Sequence, residues 1–350
     1  MATDTSCIQT SEVTYSSLFS YQNLVKAYKK CRKNVDWKRS VQSYTMNYAT
    51  RLARLYLRLQ NHTYKPKPYK HFKVNERGKT REISALHFED RIVHKCFCDN
   101  FLYPLLSRKL NYDSGATIKK KGLSFTERRT ICQLQKYYRK YGNKGYVLKL
   151  DIHHYFENID HTILFDKFRQ IIKDDDIYNF LVSQIPANTP GLGLGSQISQ
   201  ISAMYYLNEL DHNLKERQHA KFYNRYMDDL YILSPDKTYL RQVLKIIKSK
   251  LAELNLTVNP DKTRIIPLEY GFVFCKTKYI LTDTGKVLRL ITSNSIKSMK
   301  RKIKLHINIE NILPSWYSYL SKFDCHNRIM QFFNTYKGEA YYEQLNGRIT

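Results

Sequence analysis

Two adjacent aspartates, Asp228 and Asp229, lie in the segment KFYNRYMDDLYILS (221–234) between two runs of strand-forming residues. Neighbouring like charges destabilise a fold unless a cation offsets them. A third acid, Asp151, ends the apolar run YVLKLD (146–151), which is typical of a buried strand whose last residue reaches a cleft. Carboxylate oxygens suit Mg²⁺, and two such ions can stabilise the attacking and leaving oxygens of a phosphoryl displacement. We therefore expect the three aspartates to converge on Mg²⁺, although aspartates are also ordinary hairpin-turn residues.

The elements around these acids predict an α+β fold with an antiparallel sheet backed by helices on one face. A helix is expected over DHTILFDKFRQII (160–172), and the loop ANTPGLGLGSQ (187–197) leads into another. That second helix carries an apolar stripe formed by Ile198, Ile201, Met204, Leu207, Leu210 and Leu214. After the hairpin, the pattern predicts an amphipathic helix over 237–256 and a strand pair, 270–283 with 286–291.

The first part of the chain also alternates between predicted helices and strands. Residues 18–60 show helical spacing with basic residues between the apolar positions. Two short strands follow, YKHFKV (69–74) and TREIS (80–84), joined by a turn at NERGK (75–79). A basic helix over 124–142 is expected to be capped by Ser124.

The composition favours a polyanionic partner. Lys and Arg number 58 against 31 Asp and Glu, a formal charge of +27, and 29 tyrosines accompany them. Aromatic residues interleaved with bases suit stacking on nucleobases, which favours nucleic acid over a membrane surface. A protein with a solvated basic face is the plainer alternative. No apolar run approaches the roughly 18 residues of a membrane span. The polar N-terminus and the seven scattered cysteines indicate a cytoplasmic protein with reduced thiols.

The order and spacing of several motifs resemble those of reverse transcriptases, bacterial ones in particular. The YMDD hairpin follows segments 148–161 and 191–211 in the order that the family's palm shows. Other blocks resemble its fingers, a basic loop, a triphosphate-side lysine and the primer grip, and these are GKTREISALHFEDRIVHKCF (78–97), NYDSGATIKKKG (111–122), LNLTVNPDKTRI (254–265) and GFVFCKTKYILTDTGKVLR (271–289).

The resemblance implies a right-hand polymerase fold. Its regions would be an N-terminal helical extension (1–65), fingers (66–145), a palm (146–270) and a primer grip with a helical basic thumb (271–350).

The resemblance also implies three sets of site residues. Asp151, Asp228 and Asp229, together with Ile152, would hold two Mg²⁺ ions, for which Mn²⁺ could substitute. The nucleotide would be bound by Lys79, Arg81, Phe156, Leu194, Gly195 and Lys262. The primer and template would contact Tyr226, Met227, Ser199, Gln200, Gly271, Phe272 and Phe274.

Several of these residues have a plainer alternative. Phe156 would exclude a 2′-hydroxyl and so select deoxynucleotides, or it is a core phenylalanine. Lys79 and Arg81 would hold the triphosphate, or they are solvated strand charges. Lys262 would donate a proton to the departing pyrophosphate, or it merely follows a helix cap. The paired histidines at 153 and 154 are expected to edge the cleft or face solvent, not to bind metal.

One segment departs from the retroviral pattern. Leu194 in LGSQISQ (194–200) stands where those enzymes have a glutamine that hydrogen-bonds the incoming nucleotide. Without that glutamine, a contact worth on the order of 1 kcal/mol is missing, which predicts relaxed nucleotide selection. The segment is similar to the variant in reverse transcriptases of diversity-generating retroelements, although Gly193 stands where that family commonly has proline.

The leading hypothesis is therefore an RNA-directed DNA polymerase of a diversity-generating retroelement. An antiphage defence enzyme that copies a dedicated non-coding RNA is the second, and a catalytically inactive RNA-binding protein with a degenerate palm is the third. The short chain disfavours a self-sufficient mobile intron. Expected partners are a structured RNA template, a DNA or RNA primer and dNTPs, with an accessory protein or a second copy of the chain, and no membrane. Basic helices at 20–60 and 296–335 would suit such contacts.

Overall fold

The computed structural model describes residues 13–76, 79–186, 191–305 and 309–336. Its helices are α1 (Tyr15–Leu18), α2 (Tyr21–Arg32), α3 (Arg39–Met46), α4 (Tyr48–Gln60), α5 (Phe88–Phe97), α6 (Tyr103–Ser107), α7 (Leu123–Tyr141), α8 (His161–Ile171), α9 (Asp175–Ser183), α10 (Gln197–Tyr206), α11 (Asn208–His212), α12 (Lys237–Ala252), α13 (Ser293–Lys304), α14 (Ile309–Leu320) and α15 (His326–Tyr336). Its strands are β1 (Lys70–Glu76), β2 (Lys79–Ala85), β3 (Tyr146–Asp151), β4 (Phe222–Tyr226), β5 (Asp229–Ser234), β6 (Arg264–Pro267), β7 (Phe272–Phe274), β8 (Thr277–Leu281) and β9 (Val287–Ile291). The strand pairs are antiparallel, so the predicted α+β class is confirmed.

The chain forms two compact units. The first comprises residues 1–119, 153–213 and 249–257, and the second comprises 120–152, 214–248 and 258–350. In the first unit, α2 buries Leu24, Ala27, Tyr28 and Cys31, which recur at helical spacing and form its core-facing stripe. The helical pattern predicted over 18–60 is therefore confirmed, as α2, α3 and α4.

The first unit also contains the predicted hairpin of β1 and β2. Lys70 pairs with Ala85 and Glu76 with Lys79, so both strands are longer than the sequence pattern suggested. Residues 77 and 78 of the predicted turn lie outside the described residues. The hairpin is followed by α5, whose buried face includes two polar side chains, Asp90 and His94.

His94 is a buried neutral histidine. Its side chain is 2% exposed and its Nδ1 lies 3.1 Å from Oγ of Ser196, the N-cap of α10. Burial lowers the pKa of His94 from 6.5 to about 4. The imidazole of His94 is therefore harder to protonate in the folded protein than in the unfolded chain.

We expect His94 to make the free energy of unfolding decrease as the pH is lowered from 6.5 to about 4. Above this window His94 is neutral in both states and contributes no pH dependence. Within it only the unfolded chain is protonated, so the free energy of unfolding declines by about 3 kcal/mol in total. Urea unfolding across this range, compared between wild type and His94→Gln, measures the effect. Identical pH slopes in the two proteins would contradict it.

The second unit is organised around two antiparallel sheets. The four-stranded sheet has the order β4-β5-β3-β6, and the three-stranded sheet has the order β7-β8-β9. Their shared core includes Tyr231, Phe272, Phe274 and Tyr279. Helix α7 packs on the four-stranded sheet through Gln133. The Gln133 side-chain NH₂ donates to the Tyr223 carbonyl at 2.7 Å, and its side-chain oxygen accepts from the Tyr231 hydroxyl at 3.0 Å.

Three local predictions need correction. Ser124 does not cap α7, because the helix begins at Leu123 after Gly122, which has φ +98° and no side chain to cap it. The long apolar-stripe helix is interrupted at Leu207, where ψ is 5°, so α10 and α11 are separate, although all six stripe residues are buried. The segment 270–283 is not one strand but the β7–β8 hairpin.

Among the described helices, none is both long enough and apolar enough to cross a membrane.

Candidate active site

The three aspartates meet at one end of the four-stranded sheet, within the second unit. Asp151, the last residue of β3, is directly opposite Asp229, the first residue of β5. Such cross-strand neighbours have Cβ atoms about 5 Å apart. Asp228 precedes Asp229, and its carbonyl accepts a hydrogen bond from the Ile152 N–H at 3.2 Å. The Asp151 and Asp229 side chains are only 14% and 24% exposed, so negative charge is concentrated in a poorly hydrated place.

Two lysines offset this charge. Lys262 Nζ lies 2.8 and 2.9 Å from the two carboxylate oxygens of Asp151. Lys149 Nζ contacts Oδ1 of Asp229 and lies 5.5 Å from the centre of the Phe274 ring. Burial lowers the pKa of Lys149 to about 8, against the opposing effect of the Asp151 carboxylate. The paired acids are therefore compensated by an ammonium group on each strand-end carboxylate.

Asp228 is the least compensated of the three acids. Burial, followed by the charge of Asp151, raises the pKa of its carboxyl above the usual value, although a backbone hydrogen bond and the charges of Lys262 and Lys149 oppose the rise. A carboxylate held in this way gains from any additional cation.

The turn that carries Asp228 is supported by a buried arginine. Met227 and Asp228 form a two-residue loop between β4 and β5, and Met227 has φ +57°, in the left-handed region that favours glycine. Arg225 in β4 is fully buried, and its Nη1 donates to the Met227 carbonyl at 2.9 Å. This bond holds the carbonyl of the strained residue next to the two aspartates.

A second hairpin reaches the same acids. Cys275 and Lys276 form the two-residue turn between β7 and β8, with φ of 50° and 67°. The Cys275 N–H donates to Oδ2 of Asp229 at 3.4 Å. Asp229 is therefore held both by a backbone N–H and by Lys149.

The residues predicted to contact the primer differ in accessibility. Tyr226 and Met227 are partly exposed beside the aspartates. Phe272 and Phe274 are 2% and 0% exposed, and both rings pack against Tyr231, so they are core residues of the second unit. Gly271, at the start of this hairpin, is buried as well. A primer-supporting role for this segment would therefore fall to its backbone and exposed residues.

The loop that starts at Gly191 carries Leu194 and Gly195 and contacts both Phe156 and strand β2. A Cβ at Gly191 would collide with the carbonyl of Phe156, so the loop packs closely on that residue. The Leu194 carbonyl accepts from the Ser84 N–H of β2 at 3.1 Å. Gly195 is exposed, and a Cβ there would come within 2.8 Å of the Ser84 carbonyl. Phe156 and Leu194 themselves are partly exposed.

The remaining predicted residues also lie in the first unit. Lys79 and Arg81 lie on β2, paired with Glu76 and Val74, and their side chains fall outside the described part of the chain. Ser199 is buried in α10, whereas the neighbouring Gln200 is exposed. Their roles remain predictions.

The donor chemistry of the aspartate site fits a hard divalent cation. Asp151, Asp228 and Asp229 supply only carboxylate oxygens, and His153 and His154 are exposed to solvent, as predicted. Within the described ranges, no group of three His, Cys, Asp or Glu side chains is already arranged around a common metal position. The carboxylates instead contact lysines, so metal binding would require Lys262 or Lys149 to shift.

Sequence reasoning missed three residues of this site. Lys149 has a visible signal, since it interrupts an apolar run and shares a strand face with Asp151 two positions later. Arg225 has the same kind of signal, a charge within the strand FYNRY (222–226). Cys275 contributes only its backbone N–H, for which the sequence offers no signal.

Comparison with known proteins gives the following matches. Residues 63–279 match the family described as reverse transcriptase (RNA-dependent DNA polymerase). No curated protein matches the chain. Among solved structures, telomerase from Candida albicans in complex with a TWJ fragment of telomeric RNA is similar, with a TM-score of 0.51 at 14% identity, over 77% of this chain and 58% of that one. Apo telomerase from Candida tropicalis, truncated from its C-terminal domain, gives a TM-score of 0.49 at 17% identity. That match covers 63% of this chain and 55% of the telomerase chain.

The likeness to the Candida albicans telomerase concerns the fold alone at this level of identity, and this chain spans less than two thirds of that protein's length. The family match is of a different kind. It covers well over half of the chain, includes β1 to β7 and contains all three aspartates with Lys149, Arg225 and Lys262. A mixed helix and sheet fold, with paired acids on adjacent antiparallel strands, agrees with it. This chain belongs to the reverse transcriptase (RNA-dependent DNA polymerase) family.

Proposed function

We propose that this protein is an RNA-directed DNA polymerase that copies an RNA template into cDNA. The observation that carries the proposal is the opposed pair of Asp151 and Asp229, with Asp228 beside them, in a chain of the reverse transcriptase family. Reverse transcriptase domains generally use divalent metal ions, and an all-carboxylate donor set suits two Mg²⁺ ions or their substitute Mn²⁺. Such ions would supply charge stabilisation for the attacking and leaving oxygens of nucleotidyl transfer.

The residues of the second unit would then have distinct tasks. Asp151, Asp228 and Asp229, with the backbone of Ile152, would hold the metal ions. Lys149 reduces repulsion among the acids through its contact with Asp229. Lys262 is an ammonium group at 2.8 Å from Asp151, and its Nζ would supply the proton that the departing pyrophosphate takes up.

The residues of the first unit would bind and select the nucleotide. We propose that Lys79 and Arg81 pair with the triphosphate, and that the Phe156 ring excludes a ribose 2′-hydroxyl. The loop through Leu194 and Gly195 would lie along the nucleotide, because its backbone is anchored to both Phe156 and β2. The primer and template would be contacted by the exposed and partly exposed members of the predicted set.

Primer extension tests the proposal directly. With an RNA template, an annealed DNA primer, dNTPs and Mg²⁺, the protein should yield extended DNA; EDTA should stop the reaction and added Mg²⁺ should restore it. If the protein binds the template–primer but extends nothing with Mg²⁺ or Mn²⁺, it is the inactive RNA-binding protein of the third hypothesis.

The biological context belongs to the same proposal. We place the polymerase in a diversity-generating retroelement, in the cytoplasm, with a structured RNA and an accessory protein or second copy as partners. The supporting feature is the segment 194–200, with leucine where a glutamine is usual. An antiphage defence enzyme is the alternative. Sequencing the RNA that co-purifies with the protein decides between them, since a variable-gene template repeat and a dedicated non-coding RNA differ plainly.

We expect Leu194→Gln to make the polymerase more selective. A glutamine amide can hydrogen-bond the incoming nucleotide, and a gain on the order of 1 kcal/mol corresponds to about a fivefold lower misincorporation frequency. The substitution should leave the loop in place, because Leu194 is anchored through its carbonyl. Sequencing of cDNA copied from a defined RNA measures the error spectrum. Leu194→Met is the matched control, and identical spectra for all three proteins would end the hypothesis.

A further inference from the structure

The helices before the matched family region are strongly basic. Residues 13–62 contain ten Lys or Arg residues and a single acid, Asp36. The family match begins only at residue 63. The charge of this segment is therefore a feature that the proposed active site does not use.

Three lysines of α2, together with Lys33 at its C-terminal cap, form a stripe along the face opposite the buried side of the helix. Lys26, Lys29, Lys30 and Lys33 are all exposed and follow helical spacing, so they extend over about 10 Å of the helix axis. Lys30 contacts Asp99 at 2.6 Å. The other three make no ion pair with a carboxylate of the described residues, which leaves their charge available to a ligand.

The stripe leads to an exposed tryptophan. Trp37 lies in the turn between α2 and α3 and is 73% exposed, with Lys38 Nζ 5.2 Å from the ring centre. Backbone hydrogen bonds of 3.1 Å, from Val35 to Arg32 and from Lys38 to Val35, hold the turn in shape. The ring is therefore presented on an ordered backbone.

The other tryptophan, Trp316, is packed in a core, in contrast to the exposed Trp37. Trp316 is partly buried and its ring lies 4.9 Å from that of Phe332 in the core formed by α13 to α15. An exposed indole forgoes the free energy of such burial, so Trp37 has a surface that a planar ligand can cover.

We infer that Lys26, Lys29, Lys33 and Trp37 form a binding surface for single-stranded RNA, which we name the lysine–tryptophan surface. The lysines would neutralise successive phosphates, and an unpaired base would stack on the indole. A duplex hides the faces of its bases, so stacking selects an unpaired segment. The inference rests on the proposed function only in the choice of RNA as the polyanion, and it assigns to the segment before the family region the task of holding the RNA outside the active site.

Tryptophan fluorescence tests this surface without polymerisation. In Trp316→Phe protein, Trp37 is the only tryptophan, and binding of a short mixed-sequence single-stranded RNA should quench its emission. Fluorescence anisotropy of labelled RNA should give the same affinity. Trp37→Ala should weaken binding about 5- to 150-fold, as expected for the loss of one stacked base, and Trp37→Phe by less. Alanine at Lys26, Lys29 and Lys33 together should reduce the salt slope by about 2.

Two controls distinguish RNA binding at the lysine–tryptophan surface from a general effect of charge or of apolar surface. Leu57→Ala removes an exposed apolar side chain from α4 and should leave RNA affinity unchanged. If poly-glutamate quenches Trp37 as strongly as RNA does, the surface serves an acidic protein and the inference is wrong. It is also wrong if RNA binds by anisotropy while Trp37 emission stays constant. Failure of primer extension would refute the proposed function but leave these binding results standing. Failure of the binding tests would refute the lysine–tryptophan surface but leave the proposed function standing.

Discussion

Asp228→Asn should lower the rate of primer extension about 10³-fold, because the amide cannot supply the charge that a divalent cation requires. Metal ligation contributes several kcal/mol to stabilising the transition state, and each 1.36 kcal/mol is a factor of ten in rate. The amide has nearly the same shape as the carboxyl, so the turn after Met227 should survive. Single-turnover primer extension at saturating template–primer measures the loss.

The same variant should be no less stable than wild type in EDTA. Asp228 lies beside Asp151 in a partly buried place, and burial with this like charge raises the pKa of its carboxyl. Removing the charge therefore relieves a destabilising interaction. Asp261→Asn is the matched control, since Asp261 is an exposed aspartate next to Lys262 and should retain full activity. Full activity in Asp228→Asn, or equal losses in both variants, would contradict the assignment.

The position of the acids could be predicted from the sequence because it depends on local patterns. An apolar run that ends in Asp151 predicts a strand end, and strand-forming residues on both sides of Asp228 and Asp229 predict a hairpin. Antiparallel pairing then brings both ends to the same edge, as the register of β3 and β5 shows. The predicted β1–β2 hairpin is confirmed for the same reason.

The contacts that the lysines make with these acids could not be predicted in this way. Lys149 reads as an interruption of an apolar run, and only the contacts of the folded chain reveal that its ammonium group reaches Asp229 and the Phe274 ring. Lys262 follows Asp151 by more than a hundred residues, and their ion pair depends on how β6 is paired with β3. Long-range pairing of this kind leaves no local signal.

Turns with unusual residues account for other errors. The β7–β8 turn uses Cys275 and Lys276 at positive φ, where Asn-Gly or Gly is the common signal. The segment 270–283 therefore reads as a single strand. The same hairpin buries Phe272 and Phe274, which the family resemblance implies as primer contacts. Tertiary packing decides which side of such a strand is accessible.

Arg225→Met should lower the rate of primer extension about 10²-fold, because Arg225 holds the turn that carries Asp228. The Arg225 guanidinium is fully buried and donates to the Met227 carbonyl, in a loop whose positive φ costs about 1–3 kcal/mol for a residue other than glycine. Methionine has a similar volume but no donor, so the loop can relax and displace Asp228. Displacement of a catalytic group by about 1 Å is sufficient for a loss of this size.

A double-mutant cycle with Met227→Gly distinguishes this positioning role from a general loss of stability. Glycine adopts positive φ without strain, so the loop no longer depends on the hydrogen bond from Arg225. We therefore expect Arg225→Met to cost much less activity in the Met227→Gly background than in wild type, and the two effects to be non-additive. Arg241→Met, at an exposed arginine of α12, controls for the loss of one positive charge. Equal losses in both backgrounds would mean that Arg225 supports the sheet as a whole and not the catalytic turn.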